Sequence, residues 1–194
     1  GDWDGVLKLV RQLAKRDALP VEVVREVTTQ AHLGNIARRA PDQVQLTAYL
    51  RALPAAERRR RVVIAAARAL VAQGAAGEAQ KLIEAVVDAA ANDDWPSELL
   101  AIYGRLTGGD LNGRIARAEA WLRQHPDDAR LLDALGRMCL QQRLWGKAQS
   151  YIEASLAVEP TQQTHLELAR LADQLERPEE ANKHYRASAL LDRR

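Results

Sequence analysis

Between Pro126 and Pro160 two apolar stripes of helical period are separated by a short turn, and this pairing constrains the fold more than any other feature. Leu132, Leu135 and Cys139 fall at i, i+3 and i+7 on one face of a first helix. Beyond the turn Leu144-Trp145-Gly146-Lys147-Ala148, the residues Ile152, Ser155 and Leu156 make the stripe of a second. Neither stripe is stable in water, so each must bury the other. Gly136 and Ala148 lack bulk, which lets the two backbones approach; a large side chain at either would push the helices apart. Pro160 cannot continue a helix and ends the second one.

The same pairing recurs downstream at a step of 33 residues, with Gly136 mapping to Ala169, Ala148 to Ala181, Ile152 to Tyr185 and Ser155 to Ser188. Upstream it returns as Val63, Ala66, Ala67 and Leu70, then Ala79, Ile83 and Val86, around the hairpin Gly74-Ala75-Ala76-Gly77-Glu78. Ala79 and Ala148 are 69 residues apart, close to two steps, so one degenerate repeat is expected between them. It pairs Pro96 to Leu106 with Leu111 to Gln124. A helix-turn-helix unit of this length, with small residues at these positions, resembles the tetratricopeptide (TPR) repeat. The expected fold is all-α, a right-handed superhelical array of TPR-like helix pairs with about ten helices. Its divisions are 1–56 (degenerate N-terminal repeats), 57–92, 93–126 (degenerate), 127–160 and 161–194, forming a single continuous solenoid.

Composition agrees with this reading. The 47% hydrophobic content is largely Ala and Leu, Phe is absent, and β-branched residues fall inside helical patterns, so no strand is expected. The net charge of +2 does not by itself imply nucleic acid. A single cysteine, Cys139, excludes an internal disulfide and a Cys-based zinc site, and its place on an apolar face makes it a structural thiol. No window reaches the roughly 18 apolar residues of a membrane span, and no signal peptide opens the chain, so the sequence present reads as soluble. Gly1-Asp2-Trp3-Asp4-Gly5 matches Leu144-Trp145-Gly146 in the register of its Trp. It reads as the hairpin of a repeat whose first helix is missing, so the chain is expected to be a fragment of a longer protein whose N-terminal part holds a membrane anchor.

Taken in order, a helix from Asp4 to Arg16 is expected to carry Val6, Leu7, Leu9, Val10 and Leu13 inward. Pro20, as a first-turn residue, opens a second through Arg38. Pro41 and Pro54 bracket a short helix with Val44, Leu46, Tyr49 and Leu50. Arg58 to Arg61 point about 100° apart on a helix and cannot form one patch, which leaves a solvated helix start or a docking site. Asp93-Asp94-Trp95-Pro96 signals a helix start, and Gly108-Gly109-Asp110 a stop. Asp127 and Asp128 begin another helix, Arg177-Pro178-Glu179-Glu180 makes the last hairpin, and Asp192-Arg193-Arg194 suits a helix C-terminus.

The sequence holds no glycine-rich phosphate loop, G-x-S-x-G elbow, H-E-x-x-H or C-x-x-C-H. His32, His125, His165 and His184 are scattered and read as surface or inter-repeat residues rather than metal ligands, and Glu179-Glu180 as helix-capping acids. No enzyme, metal or cofactor is expected. In TPR arrays the residue after the small one on the first helix points into the concave groove. Here it is Arg68 after Ala67, Arg137 after Gly136 and Arg170 after Ala169, with Arg61 and Arg130 two turns earlier. Arginine suits planar recognition of carboxylates. Arg61, Arg68, Arg130, Arg137 and Arg170 are thus candidates for a partner-binding stripe; the alternative is that they are solvated or paired with Asp133 and Glu167.

Trp121-Leu122-Arg123-Gln124-His125-Pro126-Asp127-Asp128, Leu131 to Arg137, Trp145 to Ala148, Tyr151 to Leu156 and Glu167 to Leu171 together resemble the C-terminal region of the HemY proteins. Gly1-Asp2-Trp3 and Ala101-Ile102-Tyr103-Gly104 extend the likeness. These are haem-biosynthesis-associated TPR proteins of proteobacteria. The resemblance implies inner-membrane association through N-terminal hydrophobic segments, this region being cytoplasmic, and action near the late steps of haem synthesis. The expected function is a non-catalytic scaffold binding a protein partner, a haem-biosynthesis enzyme. The alternatives are a tetrapyrrole (haem or porphyrin) carrier, its arginines pairing propionates, and a generic TPR adaptor unrelated to haem.

Overall fold

The computed structural model describes residues 1–91 and 94–191. It contains eleven α-helices among the described residues: α1 Trp3–Lys15, α2 Val21–Arg39, α3 Gln43–Ala52, α4 Arg60–Ala72, α5 Ala76–Asp88, α6 Ser97–Tyr103, α7 Leu111–Leu122, α8 Ala129–Gln141, α9 Trp145–Val158, α10 Gln162–Gln174 and α11 Pro178–Leu191. A 3-10 turn, Ala55–Glu57, joins α3 to α4, and the described residues form no strand. The chain divides into two compact units, Gly1–Pro96 and Ser97–Arg194.

Short polar residues set the helix starts. The carboxylates of Asp2, Asp42, Asp110 and Asp128 and the Thr161 hydroxyl each accept a backbone N–H from the first turn that follows. Each such cap contributes about 1 kcal/mol. Asp110 therefore starts α7 as well as closing the preceding loop. Pro20 and Pro96 sit just outside their helices rather than in the first turn; Pro20 is extended at ψ 142°, which a helical residue cannot be. Of the start signal at 93–96, Asp93 lies outside the described residues, whereas Asp94 accepts from Arg60 at 2.7 Å. The C-terminal Asp192-Arg193-Arg194 also lies outside them.

The turns between paired helices share one device. Gly74, Arg143 and Glu176 all have left-handed φ, at 71°, 57° and 57°. After each, the next amide reaches back over the turn, Ala75 to Leu70, Leu144 to Cys139 and Arg177 to Ala172, with N···O of 2.9 Å in every case. This is the Schellman closure, which satisfies carbonyls at the helix end. Trp3 and Trp145 each open a helix, so the register match between them holds.

In the second unit Leu132, Leu135 and Cys139 of α8 are buried with Ala148, Ile152 and Ser155 of α9. A Cβ on Gly136 would collide with Ile152 Cγ1 and lie 3.5 Å from the Ala148 carbonyl oxygen, which is why this position is bare. Ala169, Ala181 and Ser188 occupy the corresponding buried places in α10 and α11. In α4 and α5 of the first unit the core is Val62, Val63, Ala66, Ala67 and Leu70 with Ala79, Ile83 and Val87. Val87 rather than Val86 is fully buried there. Two other residues read as inward are not. Leu9 is 57% exposed because Leu7 and Val10 define the face that meets α2, and Val44 is 79% exposed at the start of α3.

Candidate functional site

The positions following the small residues recur as expected in the helices but differ in surroundings. Arg68 on α4 is exposed beside buried Ala67, and Arg170 on α10 is exposed beside buried Ala169. Arg61, two turns before Arg68 on α4, straddles Glu26 with Nη1 at 3.1 Å from both carboxylate oxygens, and both side chains stay more than half exposed. Arg130 on α8 lies 4.0 Å from Glu98, itself half exposed.

Arg137 is the exception. Its side chain is only 14% exposed and donates from Nε to Asp133 at 2.9 Å, while Nη2 lies 2.5 Å from Glu167 of α10. Gln163 adds a donor to Glu167 at 3.2 Å. Arg137 therefore ties α8 to α10 and is not a surface group. Two carboxylates face one guanidinium, and Asp133 Oδ1 and Glu167 Oε2 are buried without a donor. Burial foremost, then the Asp133 charge, push Glu167 up to about 7 against the opposing pull of Arg137. A proton held on Glu167 supplies the donor that this pair of carboxyl groups otherwise lacks.

His165 and His184 are half-buried and meet within one helix pair. Nδ1 of His165 and Nδ1 of His184 are 3.0 Å apart across α10 and α11. Burial lowers both pKa values, so at neutral pH one ring donates to the other. Among the described residues no three His, Cys, Asp or Glu side chains converge as a metal site. Burial raises the Cys139 thiol, which leaves it protonated.

Two constellations carry no local sequence signal. Arg114 of α7 is fully buried and donates to the carbonyls of Tyr103 at 3.2 Å, Leu106 at 2.8 Å and Gly108 at 3.0 Å. In the first unit His32 of α2 is 1% exposed between the Tyr49 hydroxyl, 2.6 Å from Nδ1, and Glu57, 2.8 Å from Nε2. Burial keeps His32 neutral. Nε2, facing a carboxylate, must carry the hydrogen, so Nδ1 accepts from Tyr49. Burial works to raise the Glu57 carboxyl, but hydrogen bonds from Arg11 and His32 outweigh it and hold the group ionised. Arg11 meets Glu57 with two nitrogens, at 3.1 and 2.5 Å. Above this network opens a cavity of about 540 Å³, where α1 and α3 part over α2.

Helix pairs closed by recurring turns, with small residues at each crossing, define a TPR-type helical-repeat fold. Solved structures share it. The thermophilic TPR protein TTC0263 of Thermus thermophilus is 16% identical, with a TM-score of 0.57 over 97% of this chain and 91% of that one. MamA from Desulfovibrio magneticus RS-1 is 15% identical, with a TM-score of 0.54 over 100% of this chain and 97% of that one. MamA MSR-1 is 18% identical, with a TM-score of 0.53 over 87% of this chain and 97% of that one. No protein-family model matches the sequence, and no curated protein does either. No helix among the described residues is long and apolar enough to cross a membrane.

Proposed function

We propose that the chain is a non-catalytic scaffold that holds a partner protein through arginines on the first helices of its repeats, and that the partner is an enzyme of late haem biosynthesis at the inner membrane. The observation that supports recognition is the recurrence of an exposed arginine directly after a buried small residue, Arg68 after Ala67 and Arg170 after Ala169. Arg61 and Arg130 add charge on α4 and α8, whereas Arg137 acts within the fold. The haem assignment, with a cytoplasmic placement of this region beside the membrane, is supported by the sequence resemblance to HemY proteins alone.

The test is retention of partners from a proteobacterial membrane extract on the immobilised chain, with and without Arg68→Glu and Arg170→Glu together. Glutamate is nearly as good a helix former as arginine, so the variant should fold. Two lost charge-assisted contacts weaken binding by about a hundredfold or more. Retention of a haem-synthesis enzyme by the parent chain and its loss in the folded variant is the expected result. Equal retention by both would place recognition elsewhere. Titration with protoporphyrin and haem separates the scaffold from a carrier, since a scaffold leaves the tryptophan fluorescence unquenched at micromolar ligand.

A further inference from the structure

The cavity over His32 has a charge pattern that selects its occupant. Lys8, Arg11 and Lys15 of α1 border it, with Asp4 the one carboxylate on its wall among the described residues. Asp4 is held by Arg38 and Arg39, at 2.5 and 2.9 Å. Arg11, in the middle of the row, is neutralised by Glu57. Among the described residues neither Lys8 nor Lys15 has a carboxylate partner. The wall therefore offers two separate positive points with a neutral centre. They lie seven residues apart on one helix face, about 10 Å along the axis. A single phosphate or carboxylate meets both only if two long side chains bend inward and become ordered. A polypeptide extended in the polyproline II conformation, with three residues per turn, carries acidic residues three apart on one face about 9 Å from each other and meets them where they stand. Ala52 and Pro54 line the same cavity and are exposed, and Tyr49 borders it beside buried His32. The hydrogen-bonded Tyr49–His32–Glu57–Arg11 chain, with buried His32 at its centre, fixes that border, so little ordering remains for a ligand to impose.

We propose that this cavity, between α1 and α3, binds an extended acidic segment of a partner polypeptide, with carboxylates on Lys8 and Lys15 and an apolar side chain against Ala52 and Pro54. The proposal rests on the scaffold reading for the occupant being a protein, and adds a contact apart from Arg68 and Arg170.

The probe is a fluorescein-labelled peptide, Ser-Asp-Leu-Leu-Glu-Ser, titrated with the full chain and followed by polarisation, with Ser-Lys-Leu-Leu-Lys-Ser as the charge-reversed control. Saturable binding of the acidic peptide alone is expected, weakening as salt rises. Lys8→Gln with Lys15→Gln, both at exposed positions, should weaken it by at least about tenfold, while Arg68→Glu with Arg170→Glu leaves it unchanged. Amide shifts confined to α1 and the segment around Ala52 locate the contact directly, whatever a variant does to folding. Absence of binding at millimolar protein, full affinity in the doubly substituted lysine variant, or displacement of the peptide by equimolar pyrophosphate would overturn the proposal. Should the peptide fail to bind while extract partners still depend on Arg68 and Arg170, the cavity site falls and the scaffold stands. Should the peptide bind as described while no extract partner depends on those arginines, the cavity site stands and the groove arginines fall.

Discussion

Arg137 illustrates how one residue changes meaning with its surroundings. By sequence it is one of three arginines that follow a small residue, and its replacement by glutamate looks harmless, since the helix would tolerate either. In the structure that substitution would put a third acid against Asp133 and Glu167 in a site where the side chains are 18% and 7% exposed. Breaking a buried pair costs about 3 to 5 kcal/mol, so Arg137→Glu is expected to unfold the α8–α10 contact, as thermal denaturation would register. The carboxyl pair carries its own pH dependence. Glu167 goes from an ordinary 4.5 to about 7 on folding, so the folded state binds the extra proton between those values. That contribution is fully present below about pH 4.5 and is lost as pH rises through about 7. Glu167→Gln, which keeps a donor at every pH, should flatten the fall in Tm between about pH 5 and pH 8 relative to the parent chain. Comparing the two chains removes the opposite contribution of His165 and His184, whose lowered pKa values make stability rise with pH up to their ordinary titration near 6.5.

Among the elements, helices and their pairing were legible because period, proline and cap residues are local signals. The turn device was not. The step from Arg143 to Glu176 is the same 33 residues as from Ala148 to Ala181, yet neither turn residue is the glycine that would announce a left-handed backbone. A non-glycine residue there costs about 1 to 2 kcal/mol, partly offset by its smaller entropy when unfolded. Arg143→Gly is therefore expected to stabilise by about 0.5 to 1 kcal/mol, and Glu176→Gly likewise, raising the denaturation midpoint with unchanged cooperativity. Leu9 and Val44 stay exposed for a related reason: the sequence pattern marks a helix as amphipathic, but which edge of the stripe is covered depends on how many neighbours the element has. The candidate site was legible only as a series of positions. His32, Tyr49 and Glu57 are 17 and 25 residues apart, and no spacing rule connects them before the helices are placed.

On the scale of the whole molecule, the chain divides at Pro96 into two compact units. The second opens with a weak member. Its helix α6 has seven residues, too few to persist unaided, and the carbonyls of Tyr103, Leu106 and Gly108 at and beyond its end are gathered by Arg114 from α7. Arg114→Met keeps length and apolar bulk but removes those donors. It should abolish amide-exchange protection in α6 while leaving α10 and α11 protected; undiminished protection in α6 would show that the helix stands by other means. Because the group that secures α6 is supplied by a later part of the chain, a unit cut short before α7 would leave those carbonyls without their donor, so the unit cannot be shortened to its start alone.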